Sequence, residues 1–332
     1  MRCERSAYIA GIGAYAPPKI LSNADLEKIV ETSDEWITSR TGIKERRIAE
    51  KHEATSDIAI KAVEMALKDA DMKPEELDLI VSASAIPDMV FPATACILQD
   101  KIGAKNAAAF DIQAGCSGFI YGLSVGYNFI ASGMYNNVLV VGADILTRST
   151  NWEDRGTCVL FGDAGGAVVL KPSEKGSGFL SFYLGADGSG AELLRMQAGG
   201  TRLPASHDTV DKRLHYIEMS GNEVFKFAVK IMGDASLSAI ELAGLKPENV
   251  SCFVPHQANV RIIDAAIRRL KLDKDKVFVN VDKYGNTSCG SVPMALYEAY
   301  KTGRIKKGDI VVLVGFGAGL TWGSTVMVWD KD

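Results

Sequence analysis

A chain of 332 residues, 47% hydrophobic and 23% charged, has the composition of an ordinary globular protein, with length for about two domains or one duplicated one. No apolar run approaches the ~20 residues of a membrane span, and a formal net charge of −4 argues against a nucleic-acid partner. Six scattered cysteines (Cys3, Cys96, Cys116, Cys158, Cys252, Cys289) show no zinc-ligand spacing; no metal site and no disulfide framework are expected, and a reducing cytoplasm is.

Residues 6–13 read as a first strand, too glycine-rich and short for a signal peptide. Ser22 or Asn23 caps a helix, and another begins at Ser33-Asp34-Glu35-Trp36-Ile37 and ends near Gly42. Thr55 or Ser56 caps a long amphipathic helix with Ile58, Ala62, Met65, Ala66 and Ala70 inward. Strands follow at 77–81 and 107–112, with a helix around Thr94–Leu98 between them. Val138-Leu139-Val140-Val141-Gly142 is apolar without alternation, as in a sheet covered on both faces. Residues 161–166 form a tight loop before strand 167–170, residues 171–177 read as a boundary linker, and residues 185–215 as loops. Asn222 to Ala239 is helical.

The segment Ala109-Phe110-Asp111-Ile112-Gln113-Ala114-Gly115-Cys116-Ser117-Gly118-Phe119 ends a strand and starts a helix whose inner face carries Ile120, Leu123, Tyr127 and Ile130. A thiol at a helix N-terminus meets unpaired N–H groups and the positive end of the dipole, which favour the nucleophilic thiolate. From these residues alone, Cys116 reads either as a nucleophile or as a small buried hydrophobe.

The chain repeats itself. Met72-Lys73-Pro74-Glu75-Glu76-Leu77-Asp78-Leu79-Ile80-Val81 matches Leu245-Lys246-Pro247-Glu248-Asn249-Val250-Ser251-Cys252-Phe253-Val254 at an offset of 173 (246 − 73). Strand 138–142 matches 311–315 at the same offset, and helices end at Gly133 and Gly303, 170 apart. At the offset of 170, Cys116 maps onto Asn286. Val81 maps onto Val254, so His256 lies just past a strand's carboxyl end, where sites in mostly parallel sheets gather. A buried structural histidine is the other reading of His256. His52, His207 and His215 sit in polar stretches and read as surface residues.

Four stretches taken together resemble the β-ketoacyl-acyl-carrier-protein synthase III family of bacterial fatty acid synthesis. They are Asp111–Gly118, His256-Gln257-Ala258-Asn259, Gly285-Asn286-Thr287-Ser288 and Gly317-Ala318-Gly319-Leu320-Thr321-Trp322-Gly323. The likeness runs from Ser33 to the C-terminal strand. It implies an α/β thiolase-like fold: two duplicated βαβαβ-type halves, residues 1–171 with the cysteine and 172–332 with His and Asn, in a five-layered α-β-α-β-α core. It also implies that Cys116 takes an acyl group from acyl-coenzyme A. His256 and Asn286 then bind the thioester carbonyl of malonyl-acyl carrier protein, carbon dioxide leaves, and the carbanion attacks acylated Cys116. A thiolate suits the first step, and two neutral N–H donors suit the enolate oxygen of the second.

By the same resemblance, the backbone N–H groups of Cys116 and Ala318 form a second oxyanion hole. Ala318 stands where glycine is expected, at a cost if that position needs positive φ. Trp36, Arg40 and Arg155 resemble residues holding the adenine and phosphates of coenzyme A, though Trp36 also reads as a helix anchor. Asn222, Phe225 and Ala258 resemble pantetheine-channel residues, and Asn259 follows them in the motif. Phe91 resembles a residue that closes the partner's acyl pocket across a homodimer interface. Coenzyme A enters as substrate, and no cofactor is implied. Arg261, Arg268 and Arg269 on one helix, with Lys226 and Lys230 on the preceding one, offer a basic face for the acidic carrier protein; the plain alternative is a solvated helix. Other readings of the Cys-His-Asn set are a polyketide or quinolone starter synthase, a hydroxymethylglutaryl-coenzyme A synthase type, a thiol hydrolase, and a non-catalytic acyl-binding protein.

Overall fold

The computed structural model describes residues 5–332; Cys3 lies outside the described residues. Its first sheet contains β1 (Arg5–Tyr15), β2 (Leu79–Ala83), β3 (Ala108–Ile112), β4 (Val138–Ile145) and β5 (Asp163–Glu174), in the order β1-β5-β4-β2-β3. Its second contains β6 (Phe179–Ala186), β7 (Cys252–Pro255), β8 (Ile310–Gly317) and β9 (Thr321–Val328), in the order β6-β9-β8-β7. A parallel bridge from Phe253 to Val277 extends it where β3 extends the first. In both sheets the first two pairings from the β1 or β6 edge are antiparallel, and the next, β4 with β2 and β8 with β7, is parallel.

The duplication is exact in register. Leu79 pairs with Val138 and Cys252 with Val311, each partner 173 residues from its equivalent (252 − 79 and 311 − 138). Even the turns before β2 and β7 repeat. The Lys73 N–H donates to Glu76 Oε2 at 2.8 Å, and the Lys246 N–H to Asn249 Oδ1 at 2.9 Å.

Five layers result. Helix α1 (Thr55–Asp69) covers the outer face of the first sheet, against β1, β4 and β5. Helices α2 (Gly118–Ala131) and α5 (Ser291–Lys301) lie between the sheets. Helices α3 (Gly221–Leu242) and α4 (Val260–Leu270) form the far layer, with α3 against β6, β8 and β9 and α4 packed on α3. Covered on both faces, β4 is buried along its whole length, as its unbroken apolar run requires. Helix α2 approaches β4 closely because Gly122 carries no side chain; a Cβ there would lie 2.8 Å from Val140 Cγ1. Among the described residues no helix is long and apolar enough to cross a membrane.

Several expectations need correction. Residues 171–174 are not linker but the last turns of strand β5, paired with β1; only the bend before Phe179 breaks the chain. Residue 54, not 55 or 56, caps α1: Asp57 takes the Ala54 N–H at 2.8 Å, while the Thr55 and Ser56 hydroxyls reach Ile86 O and Asp88. The span 185–215 holds short elements, among them strand Leu194–Met196 and helix His207–Asp211. His215 is half-buried there, its Nε2 2.9 Å from the Thr209 hydroxyl.

The most consequential correction concerns the counterpart of Cys116. The helix ends are 170 apart, but the starts, Gly118 and Ser291, are 173 apart (291 − 118). The difference is absorbed along the helices, since α2 has 14 residues and α5 has 11. Cys116 therefore maps onto Cys289, and Asn286 lies three residues before that position.

Candidate active site

Cys116 stands between β3 and α2, just before Ser117, the residue flanking the helix start. The Ser117 and Gly118 N–H groups turn back onto the carbonyls of Ala114 (3.2 Å) and Gly115 (3.0 Å). The Ser117 and Thr321 hydroxyls, 2.9 Å apart, each contact the Ala114 carbonyl at 2.7 Å. This ties the cysteine loop to the glycine-rich turn after β8. Backbone meets backbone there: a Cβ on Gly317 would lie 2.3 Å from the Cys116 nitrogen, and one on Gly115 would lie 2.6 Å from the Ala318 nitrogen.

Burial pushes the Cys116 thiol up to about 12, against the pull of the Ser288 hydroxyl, and the Asp144 carboxylate adds to the rise. Desolvation thus opposes the pull of the helix terminus on this thiol.

His256 follows the last residue of β7 and donates its N–H to the Val314 carbonyl at 2.8 Å. Its ring is 1% exposed and stands edge-on to Phe316, centroids 5.3 Å apart. Burial pulls its pKa down to about 3, so the imidazole is neutral. Its Nδ1 has no hydrogen-bond partner among the described residues. Neighbouring Gln257, fully buried, fixes the loop: its N–H donates to Ser291 Oγ at 2.7 Å, and its Oε1 accepts from the N–H groups of Asn280 and Val281.

Asn286 is held by its backbone against Leu160 and Gly162, at 2.8 and 3.0 Å. Its Oδ1 accepts the Ser288 N–H at 3.0 Å, which fixes the amide and leaves the Nδ2 side to donate. Cys289 links this turn to the nucleophile loop, its thiol donating to the Gly115 carbonyl at 3.1 Å. The turn and Cys116 are thus neighbours, and His256 reaches the same end of the sheets on β7.

The sequence matches the family described as 3-oxoacyl-[acyl-carrier-protein] synthase III over residues 110–188, and its C-terminal counterpart over residues 240–329. It is 60% identical to the β-ketoacyl-[acyl-carrier-protein] synthase III of Caldanaerobacter subterraneus, covering 99% of this chain and 100% of that one. The chain belongs to the β-ketoacyl-[acyl-carrier-protein] synthase III family. It superposes on the family's structure from Thermus thermophilus with a TM-score of 0.91 at 50% identity, covering 97% of this chain and 99% of that one. The priming β-ketosynthase of the R1128 polyketide pathway reaches the same TM-score at 34% identity, with 98% and 97% covered. The fold is thiolase-like, as the resemblance implied.

The remaining positions singled out by likeness to this synthase family fall in three places. At the first, Arg40 and Arg155 lie over the half-buried Trp36 ring, guanidinium carbons 4.9 and 4.8 Å from its centroid. Trp36 stands in the short helix Asp34–Thr41, capped by Ser33, whose hydroxyl accepts the Trp36 N–H at 3.1 Å. At the second, Asn222 is exposed at the start of α3, Phe225 lies under the Arg261 guanidinium (5.2 Å), and Ala258 is half-buried beside His256. Asn259 is structural: its Oδ1 accepts the Arg261 N–H and its Nδ2 donates to the Arg40 carbonyl. At the third, Phe91 is 82% exposed beside Val90, 85% exposed. Ala318 is not among the residues with positive φ; Gly319, at +139°, is. The methyl therefore carries no left-handed strain.

The basic face is partly self-neutralised. Arg269 pairs with Asp234 at 3.0 Å and Lys226 with Glu223 at 2.8 Å, while Arg261 and Arg268 are exposed with no ion pair among the described residues. Sequence reasoning missed three residues here: Asp144, Ser288 and Gln257. Asp144 had a signal, a lone acid inside an apolar strand.

Proposed function

We propose that this chain joins a short-chain acyl-coenzyme A to malonyl-acyl carrier protein by decarboxylative condensation. The product is a β-ketoacyl-acyl carrier protein, and the step initiates type II fatty acid synthesis. Full-length family membership carries this reading, and a neutral, desolvated His256 and a fixed Asn286 amide support the assignment of roles.

In the first half-reaction Cys116 Sγ attacks the thioester carbonyl of the acyl-coenzyme A. The backbone N–H groups of Cys116 and Ala318 hold the oxyanion. Coenzyme A leaves as the thiol, with the proton that Sγ gives up during attack. In the second, the malonyl thioester carbonyl accepts from His256 Nε2–H and Asn286 Nδ2–H. The bond to the carboxylate breaks, carbon dioxide leaves, and the enolate charge rests on that carbonyl oxygen. The carbanion then attacks the acyl carbon, the Cys116 thiolate departs, and a solvent proton restores the thiol. No base is needed to make the carbanion, which is why an asparagine serves where a hydrolytic relay would use a carboxylate.

Trp36, Arg40 and Arg155 would hold the adenine and phosphates of coenzyme A, with Asn222, Phe225 and Ala258 along the pantetheine arm. Arg261, Arg268 and Lys230, with no ion pair among the described residues, would meet the carrier protein, with Arg269 and Lys226 at the margin. The chain would act as a homodimer: β3 pairs with no second strand among the described residues, and Phe91 stands exposed to reach a partner. A cytoplasmic setting fits five described cysteines that are all free thiols.

The deciding experiment is mass spectrometry of Cys116 after exposure to mixed acyl-coenzyme A starters, followed by malonyl-acyl carrier protein. We expect an acyl adduct on Cys116, then carbon dioxide and a β-ketoacyl product. Free acid without carbon dioxide would make the protein a hydrolase instead.

A further inference from the structure

The two halves bring equivalent helix starts together, and a buried carboxyl group faces one of them. Asp144 on β4 and Gly317 on β8 occupy equivalent positions (317 − 144 = 173). Gly317 packs its bare Cα against the Cys116 nitrogen. Asp144, 0% exposed, instead takes the N–H of Cys289 on Oδ2 at 2.9 Å. Its Oδ1 accepts the Ser84 hydroxyl (2.8 Å) and the N–H groups of Ala85 (2.8 Å) and Ile86 (2.9 Å). All four donors are neutral. A carboxylate buried without a cation persists only where its surroundings supply such donors. The next link is strained: Ser288 is a non-glycine residue at φ +49°, and its N–H is the donor that orients the Asn286 amide.

We propose that Asp144 is a positioning residue for the decarboxylation half-reaction. It occupies the counterpart of the oxyanion hole and clamps the 286–290 turn. That clamp holds Ser288 in its left-handed conformation and Asn286 Nδ2 toward the malonyl carbonyl. This rests on the assignment of Asn286 to the malonyl thioester. The same carboxylate binds the segment 84–86, so the turn is held against β2 as well as β4.

The test uses Asp144→Asn, which keeps the shape but turns one acceptor into a donor. Two rates are measured on the full-length protein: transfer from acetyl-coenzyme A to Cys116 by intact mass, and carbon dioxide release from malonyl-acyl carrier protein without starter. Misplacing a catalytic group by an ångström can cost about 100-fold, so we expect decarboxylation to fall at least about 10-fold. Acylation should stay within about threefold. Asn286→Ala serves as the reference, and adding it to Asp144→Asn should cost much less than it costs alone, because coupled groups are not additive. If Asn286→Ala abolishes decarboxylation but Asp144→Asn leaves it intact, the clamp is wrong and the site reading stands. If Asn286→Ala itself leaves decarboxylation intact, the site reading fails. An equal fall in both half-reactions in the folded Asp144→Asn protein also overturns the clamp. Should that variant not fold, Ser84→Ala decides. It removes one donor to the same carboxylate and should lower decarboxylation relative to acylation by about threefold; no shift would overturn the proposal.

Discussion

Cys116 and Cys289 are equivalent residues at equivalent helix starts, yet the proposed reaction uses only Cys116. Cys116 is partly open, packed on the bare backbone of Gly317. Cys289 is 1% exposed, its N–H spent on Asp144 and its thiol on the Gly115 carbonyl. The pair teaches that duplication supplied two identical backbone frames and that the residue on the neighbouring strand decides each one's use. In the proposed reaction, glycine keeps the Cys116 N–H available to a transient oxyanion. Aspartate fills the same place with a buried carboxyl group that takes the Cys289 N–H. The thiols are not distinguished by intrinsic acidity, because burial raises both.

The sharpest break of this comparison is to exchange the thiols' fates. Cys116→Ser should abolish acyl transfer, a loss beyond about 1,000-fold, because a hydroxyl is far less nucleophilic. It should leave slow malonyl decarboxylation. Cys289→Ala should acylate within about threefold of the parent, since its thiol makes only neutral hydrogen bonds, to the Gly115 carbonyl and from the Ser288 hydroxyl. Intact mass spectra read both, and equal loss would erase the distinction between the two helix starts.

Next in size is the donor pair. Asn286→Ala removes one oxyanion donor and should slow decarboxylation by about 100- to 1,000-fold, ~3 kcal/mol. Acylation of Cys116 should continue. The other donor sets the pH profile. Because burial holds His256 near a pKa of about 3, it stays neutral, and decarboxylation should show no inflection between pH 5 and 8, the range where an ordinary histidine titrates. The same depression has a stability consequence. Between its folded pKa and the ordinary histidine value, the unfolded chain binds a proton that the native state does not. Its stabilising contribution is therefore present above pH ~6.5 and is lost as pH falls toward about 3. Denaturant titrations of His256→Asn should show a shallower fall across that window.

Gly317→Ala tests the open helix start directly. Its methyl would lie 2.3 Å from the Cys116 nitrogen, so backbone must shift. Acylation should fall by roughly 10- to 100-fold, with decarboxylation less affected. The smallest effect is expected farthest from the axis. Arg261→Glu should weaken use of the carrier protein by about tenfold and leave acyl-coenzyme A transfer unchanged, the pattern of a rim charge that guides encounter. Equal loss on both substrates would dissolve the basic face.

Much of this was written in the chain. Apolar runs without alternation announced strands covered on both faces, and 138–142 and 311–315 are such strands. The repeated Lys-Pro-Glu turn announced the duplication, because a capped turn before a strand is a local structure set by local residues. Cys116, His256 and Asn286 were legible as residue types at strand and helix ends. Their offset was not, because a three-residue difference in helix length is invisible until both helix starts are seen.

What the order of residues could not give is the environment of each group. The Cys116 thiol reads as acidic from its helix terminus, but burial in the packed fold works against that. Asp144 received no reading from the sequence, and its donors come from segments 60 and 145 residues away. Local pattern determines secondary structure and pairing, since these depend on neighbours within a few residues. Desolvation and the meeting of two helix starts depend on what the other half of the chain places there, and only the packed fold decides that.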